Sequence, residues 1–121
     1  MGRILVVDDE PLVAEMVRRT LEEEHSVAVR SSAQGALELV DKGERFDLVV
    51  SDLQMPDLDG IGLRDALAQR DPALARRMLF LTGGATTPGT REFLAREDVH
   101  SLEKPFRAPE LLASVRRLLG G

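Results

Sequence analysis

Residues 48–60 read LVVSDLQMPDLDG, and their pattern indicates the fold class of the chain. It begins with the aliphatic run 48–50, whose lack of polar alternation is typical of a strand buried on both faces of a sheet. A loop rich in Asp, Pro and Gly follows at residues 52–60. The same order occurs at residues 4–11, which read ILVVDDEP. Two buried strands that each end in acidic residues predict a parallel sheet with functional side chains along one edge.

Apolar runs and helical patterns alternate through the rest of the chain. Strands are predicted at residues 4–7, 27–30, 48–51, 78–82 and 101–103. Helices are predicted at 11–24, from the cap Ser32 to about residue 42, at 61–69, at 90–96 and from Pro109 onward. This alternation predicts an α/β protein with a doubly wound, five-stranded parallel sheet and helices on both faces.

The composition limits the domain count, the partners and the compartment. The 121 residues fit a single domain at 1–121, and the net charge of -5 argues against a nucleic-acid-binding face. No stretch approaches the roughly 20 apolar residues of a membrane-spanning helix, and the first residues lack the pattern of a signal peptide. The expectation is a cytoplasmic domain that binds neither nucleic acid nor membrane.

Four predicted strands end in charged or hydroxyl side chains, which a parallel sheet brings to one edge. These residues are Asp8 and Asp9 after the first strand, Asp52 after the third, Thr82 after the fourth and Lys104 after the fifth. Carboxylates that lie close together repel one another, and a divalent cation relieves that repulsion. Because oxygen ligands suit Mg²⁺, we predict a magnesium site among the three aspartates.

These residue types suit the formation of an acyl phosphate. Asp52 can attack phosphorus as a carboxylate nucleophile, while the metal and Lys104 neutralise charge on the phosphoryl oxygens. The Thr82 hydroxyl can donate a hydrogen bond to a phosphoryl oxygen once the aspartate is phosphorylated. That bond would pull the loop after the fourth strand inward, and Gly83 and Gly84 would let the loop move.

Four segments carry a resemblance to the receiver domains of two-component response regulators. They are residues 4–11, 52–60, 81–83 (LTG) and 102–106 (LEKPF), in the family's order and from end to end of the chain. The resemblance implies a flavodoxin-like sheet with strand order 2-1-3-4-5. It also implies that Asp52 accepts a phosphoryl group from a histidine kinase and controls a partner or a linked domain.

The resemblance further implies a role for each residue of the set. The metal ligands would be Asp9, Asp52 and the backbone carbonyl of Gln54 directly, with Asp8 through water. Thr82 and Lys104 would contact the phosphoryl group, and a cis peptide bond before Pro105 would aim the lysine inward. The domain would catalyse its own phosphorylation and dephosphorylation, without turnover of a separate substrate.

The chain departs from the family three residues before the lysine. The family usually has an aromatic residue there that swings inward on activation, whereas this chain has Ser101 and contains no Tyr or Trp. Output through Thr82 therefore needs another route. Gln54 and Gly84 occupy the positions that flank the hydrolytic water in the family, and they leave the lifetime of the acyl phosphate unpredicted.

Other interpretations fit the sequence less well. A haloacid-dehalogenase-like phosphatase would need Asp-x-Asp directly after the first strand, where this chain has Asp8-Asp9-Glu10. A pseudo-receiver that binds a partner without phosphorylation would lack the aspartate or the lysine, and both are present. Asp57 and Asp59 resemble half a calcium loop, but the required glutamate is absent, so a turn is predicted. Asp9 or Glu10 could instead cap the first helix, and His25 is expected at the surface.

The motifs leave the output of the domain open. No DNA-binding or catalytic domain follows Leu119, which fits a stand-alone regulator or a receiver from a longer protein. The loop at residues 82–84, the missing aromatic and the absent effector favour the receiver of a hybrid histidine kinase. A homodimer would use the family's usual dimer surface of fourth helix, fifth strand and fifth helix, where Ser101 supplies no aromatic side chain.

Overall fold

The structure is a computed structural model that describes residues 2–83 and 87–120. The strands are β1 (Arg3–Val7), β2 (Ser26–Arg30), β3 (Leu48–Asp52), β4 (Met78–Thr82) and β5 (His100–Glu103). The helices are α1 (Pro11–Glu22), α2 (Ala33–Asp41), α3 (Gly60–Arg70), α4 (Pro72–Ala75), α5 (Pro88–Leu94) and α6 (Ala108–Leu118). All predicted strands are confirmed, and no strand end differs from its prediction by more than one residue.

The strands form one parallel sheet in the order β2-β1-β3-β4-β5, which confirms the predicted α/β fold. The direction of winding reverses between β1 and β3, and this class of sheet binds ligands outside the carboxyl ends of the strands at such a point. Val7 pairs with Ser51 across these two strands. The residues that follow them, Asp8 and Asp52, therefore begin side by side.

Two apolar clusters hold the helices onto the sheet. On one face, α1 and α6 pack against alternate strand residues, in a cluster that includes Ile4, Val17 and Val115. On the other face, α2, α3, α4 and α5 cover the remaining strand residues, including Val49. Each fully buried aliphatic side chain stabilises the fold by about 1.5–3 kcal/mol. Within the described residues, no helix has the length and apolar character needed to span a membrane.

Local capping explains where the helices begin and end. Ser32 caps α2 as predicted, because its Oγ accepts a 3.0 Å hydrogen bond from the Gly35 N–H. The predicted start of α5 at Thr90 was wrong by two residues, because Thr87 accepts a hydrogen bond from the Thr90 N–H and Pro88 fits the first turn. Helix α4 was not predicted, since four residues are too few for a periodic pattern to appear.

The prediction that His25 lies at the surface was wrong. The residue is only 8% exposed, and its Nδ1 accepts a 3.0 Å hydrogen bond from the Gly2 N–H. An N–H donor requires a neutral ring nitrogen as acceptor, so this bond favours the uncharged imidazole. Burial lowers the pKa of His25; Glu24 raises it in opposition, while Arg116 lowers it further.

His25 should make the stability of the fold depend on pH. Because its pKa is lower in the folded chain, the unfolded chain takes up the proton first as the pH falls. The stabilising contribution is complete above the unfolded pKa of 6.5 and is lost as the pH falls through the lower folded pKa. We expect the free energy of unfolding to fall across this window, by up to about 1.4 kcal/mol per pH unit for one proton.

Urea unfolding followed by circular dichroism at several pH values measures this dependence. The variant His25→Asn keeps an acceptor for the Gly2 N–H but cannot take up the proton, so its stability should change less between neutral and mildly acidic pH. A matched variant, His100→Asn, makes the same substitution on β5. An unchanged slope in His25→Asn would assign the pH dependence to other groups.

Candidate functional site

The carboxyl ends of β1, β3, β4 and β5 meet at a pocket of about 260 Å³. Its lining consists of Asp9, Glu10, Asp52, Leu53, Gln54, Thr82, Gly83 and Lys104. The structure therefore brings together the residues that the sequence assigned to one edge of the sheet, and Asp8 joins them through its carboxylate. A larger cavity of about 450 Å³ lies at the opposite edge, beside His25 and Arg77, and contains none of them.

Asp8, Asp9 and Asp52 form an acidic cluster in which one oxygen from each carboxylate lies within 4.8 Å of the others. Oδ1 of Asp8 accepts a 2.9 Å hydrogen bond from the Glu10 N–H. Oδ2 of Asp8 is buried and has no hydrogen-bond partner in the part of the chain that the structure describes. Burial raises the pKa of Asp8, and repulsion from Asp52 adds to this rise, while the Glu10 hydrogen bond and the charge of Lys104 oppose it.

The acidic cluster fits a divalent cation. A buried carboxylate oxygen without a donor is costly, and a cation would satisfy it while relieving the repulsion that raises the pKa of Asp8. The donors are all oxygen atoms, which suit Mg²⁺ better than a softer metal. Helix capping does not account for Asp9, because Glu10 is the N-cap of α1 and makes no side-chain capping bond.

Lys104 and Thr82 complete the pocket from the neighbouring strands. The Lys104 Nζ lies 3.7 Å from Oδ1 of Asp52, so the lysine points into the site. The peptide bond between Lys104 and Pro105 is cis, as the family resemblance implied. The Lys104 N–H donates a 2.7 Å hydrogen bond to the Thr82 carbonyl, which ties the end of β5 to the end of β4. Thr82 itself is buried.

The loop between β3 and α3 is fixed by its own backbone and caps. The Gly60 N–H donates a 2.9 Å hydrogen bond to the Leu53 carbonyl. Asp57 has a φ of 68°, in the left-handed region that Asp tolerates better than most residues. Asp59 caps α3 by accepting a 2.8 Å hydrogen bond from the Gly62 N–H. Asp57 and Asp59 therefore serve the turn, as the sequence predicted.

Two contributions to the site were not predicted. Glu10 lines the pocket, and the buried Ser51 hydroxyl donates a 2.8 Å hydrogen bond to the Asp52 carbonyl. The sequence signal that could have found Ser51 is its hydroxyl, which directly follows three aliphatic residues in a predicted buried strand. Gly84, which the sequence assigned to the moving loop and to the path of the hydrolytic water, lies outside the described residues. Ser101 is exposed on β5.

A doubly wound sheet with an acidic cluster and an inward lysine at its carboxyl edge defines a class of signalling domain. The sequence matches the response regulator receiver domain over residues 4–116, and the chain belongs to this family. Such domains of two-component systems accept a phosphoryl group on an aspartate from a histidine kinase and control an output. The family assignment confirms the predicted class of function, a phosphoryl-accepting receiver domain of two-component signalling.

Several known proteins resemble this chain along most of its length. The transcriptional regulatory protein TcrA of Mycobacterium tuberculosis is 34% identical over 117 residues, covering 96% of this chain and 45% of that regulator. This chain thus spans less than half the length of that relative. The response regulator receiver protein CpdR of Brucella abortus is 29% identical, with 98% of each chain covered.

Solved structures have the same fold. The receiver domain of a signal transduction histidine kinase from Syntrophus aciditrophicus has a TM-score of 0.84 and 30% identity, covering 100% of this chain and 92% of that chain. The chemotaxis protein CheY4 of Vibrio cholerae also has a TM-score of 0.84, with 28% identity and 98% of each chain covered. Receivers that belong to kinases and receivers of chemotaxis proteins therefore share this architecture.

Proposed function

We propose that Asp52 is the residue that accepts the phosphoryl group, and that the donor is the phosphohistidine of a histidine kinase. The observation that carries the proposal is the 3.7 Å approach of the Lys104 Nζ to the Asp52 carboxylate, next to the acidic cluster. Asp52 is only 9% exposed, yet it lines the pocket, so a donor would reach its carboxylate through the pocket mouth.

The proposed reaction moves phosphorus from nitrogen to oxygen. A carboxylate oxygen of Asp52 attacks phosphorus, the P–N bond of the phosphohistidine breaks, and its electron pair returns to the donor's imidazole. The Lys104 ammonium neutralises charge on the phosphoryl oxygens beside it. The Thr82 hydroxyl then donates a hydrogen bond to one of those oxygens, which couples the modification to the end of β4.

The acidic cluster would hold Mg²⁺. Asp9, Asp52 and the backbone carbonyl of Gln54 would bind the ion directly, with Asp8 through water. When bound, the cation supplies positive charge that offsets the repulsion among the carboxylates and the phosphoryl group. The buried Oδ2 of Asp8 and the raised pKa of that residue support this assignment.

The proposed activity is a switch, without turnover of a separate substrate. We place a single receiver domain at 1–121, working in the cytoplasm with a histidine kinase as its partner and without binding nucleic acid. Because Ser101 supplies no aromatic side chain, the signal would leave Thr82 by a route other than an aromatic switch on β5. A homodimer, if the whole protein forms one, would use the face made by α5, β5 and α6.

Intact-mass spectrometry after incubation with Mg²⁺ and acetyl phosphate tests the proposal. The wild-type chain should gain one phosphoryl group, and this gain should disappear in Asp52→Asn and in the presence of EDTA. The matched control is Asp57→Asn, which makes the same change five residues away, at a left-handed position that Asn tolerates. That variant should be modified like the wild type.

A short lifetime could hide the adduct, so binding of beryllofluoride, which mimics the phosphoryl group, is measured in parallel. Folded wild-type protein that neither gains the phosphoryl group nor binds beryllofluoride would contradict the proposal and favour a pseudo-receiver. An adduct that persists in Asp52→Asn would place the phosphoryl group on another residue.

A further inference from the structure

Ser51 is a polar residue in an otherwise aliphatic part of β3. Its side chain is fully buried, with 0% exposure, and it follows Leu48, Val49 and Val50. Strand alternation places Ser51 on the same face as Val49, the face covered by α2, α3, α4 and α5. A buried hydroxyl is costly unless it is hydrogen-bonded. Here it donates a 2.8 Å bond to the carbonyl of Asp52.

This bond fixes one end of a single peptide unit, and a second bond fixes the other end. The Asp52 carbonyl accepts from the Ser51 hydroxyl, while the adjoining Leu53 N–H donates a 3.2 Å bond to the Leu81 carbonyl of β4. Holding both the C=O and the N–H defines the orientation of the peptide plane. This peptide unit links Asp52, the proposed acceptor, to Leu53, and the next residue is Gln54, whose carbonyl is a proposed metal ligand.

The first turn of α3 lies close to the same Asp52 carbonyl. A Cβ atom at Gly60 would lie 2.7 Å from the Asp52 carbonyl oxygen, so the helix approaches it as closely as a glycine allows. The carbonyl oxygen is therefore confined between α3 and the Ser51 hydroxyl. Rotation of the 52–53 peptide would need either the loss of the hydroxyl contact or a shift of the helix.

We propose that Ser51 is a positioning residue for phosphoryl acceptance. Its hydroxyl sets the orientation of the peptide between Asp52 and Leu53, and through it the direction of the Asp52 carboxylate and the place of the Gln54 carbonyl. The inference rests on the function proposed above for Asp52. Ser51 touches neither the phosphoryl group nor the metal, and it acts through the backbone of its neighbour.

Loss of the hydroxyl should weaken metal binding as well as the reaction. Without its donor, the buried Asp52 carbonyl is left to find another partner by rotating, which moves two proposed metal ligands together. Removing a group that orients metal ligands typically costs about 10-fold or more in metal affinity. We therefore expect Ser51→Ala to bind Mg²⁺ about 10-fold more weakly, and to react with acetyl phosphate more slowly at a fixed Mg²⁺ concentration.

The experiment compares Ser51→Ala, Ser51→Thr and Ser114→Ala with the wild type. Ser114 is a buried serine of α6, remote from the pocket lining, so Ser114→Ala is the matched control. Mg²⁺ affinity is measured by isothermal titration calorimetry, the phosphorylation rate by intact mass, and the unfolding midpoint by circular dichroism. The hydroxyl retained in Ser51→Thr should restore Mg²⁺ affinity and rate towards the wild-type values, even if the added methyl lowers the unfolding midpoint.

The inference would be overturned if Ser51→Ala lowered the unfolding midpoint but kept the wild-type Mg²⁺ affinity and rate, since the hydroxyl would then be structural. It would also be overturned if Ser51→Ala and Ser51→Thr, both folded, lost Mg²⁺ affinity equally. Failure of the function proposed for Asp52 can be told apart from failure of the inference about Ser51. In the first case the wild type itself would take up no phosphoryl group.

Discussion

Replacement of Gly60 by alanine is expected to destabilise the fold and to slow phosphoryl uptake together. The new Cβ would meet the Asp52 carbonyl oxygen at 2.7 Å and the Leu53 Cα at 3.0 Å, and neither backbone atom can rotate away as a side chain would. Either the start of α3 or the end of β3 must therefore shift. Overpacking of this kind typically costs about 1–3 kcal/mol.

Urea unfolding monitored by circular dichroism measures the stability of Gly60→Ala, and intact mass gives its rate of reaction with acetyl phosphate. The matched control is Gly89→Ala in α5, where an added Cβ meets no atom within 4 Å. That control should be neutral or more stable by up to about 1 kcal/mol, because alanine favours helix. Wild-type stability and rate in Gly60→Ala would contradict the close approach of α3 to the Asp52 carbonyl.

Asp8→Asn should have opposite effects on the metal-free and metal-bound protein. Without metal, the substitution removes a buried charge that lies next to Asp52 and has an unpartnered oxygen among the described residues. The free energy of unfolding should rise by about 1 kcal/mol, the Coulomb energy of two charges about 4 Å apart in water. With Mg²⁺ present, the lost carboxylate should weaken ion binding by about 10-fold or more, so added Mg²⁺ should stabilise the variant less.

Thermal unfolding with EDTA and with a series of Mg²⁺ concentrations measures both effects for Asp8→Asn. The control is Asp65→Asn, which makes the same charge change on the exposed surface of α3. It should leave the stability in EDTA and the response to Mg²⁺ close to those of the wild type. A variant Asp8→Asn that is less stable in EDTA, with an unchanged Mg²⁺ response, would contradict the assignment of the acidic cluster as a metal site.

The sequence predicted the sheet well because its strands are short and aliphatic, and polar or turn-forming residues mark where they end. The runs before Asp8 and Asp52 are apolar without alternation, which only a strand covered on both faces requires. Once the sheet is parallel, its carboxyl ends must share one edge, so the spatial grouping of Asp52 with Thr82 and Lys104 follows from topology. The strand order itself came from the family resemblance.

Residues whose environment depends on contacts distant in sequence were harder to predict. His25 follows a polar run of glutamates that suggests solvent, yet it is buried, and its ring accepts a hydrogen bond from the Gly2 N–H, 23 residues away. The position of Ser51 gave no sign that its hydroxyl would meet a backbone carbonyl at the end of its own strand. Helix α4 is too short to show an apolar stripe, although its Leu74 and Ala75 are buried in the core and Asp71 caps its start.

Location of the phosphoryl group on a single residue tests the assignment of Asp52 as the acceptor. An aspartyl phosphate is an acyl phosphate, which borohydride reduces to the alcohol, so a phosphorylated aspartate becomes homoserine. The wild-type chain is incubated with Mg²⁺ and acetyl phosphate, reduced with borohydride, digested and sequenced by tandem mass spectrometry, with Asp57→Asn and an EDTA sample alongside. We expect homoserine at position 52 in the wild type and in Asp57→Asn, and none in EDTA. Homoserine at position 8 or 9, or a mass gain that yields no homoserine, would contradict it.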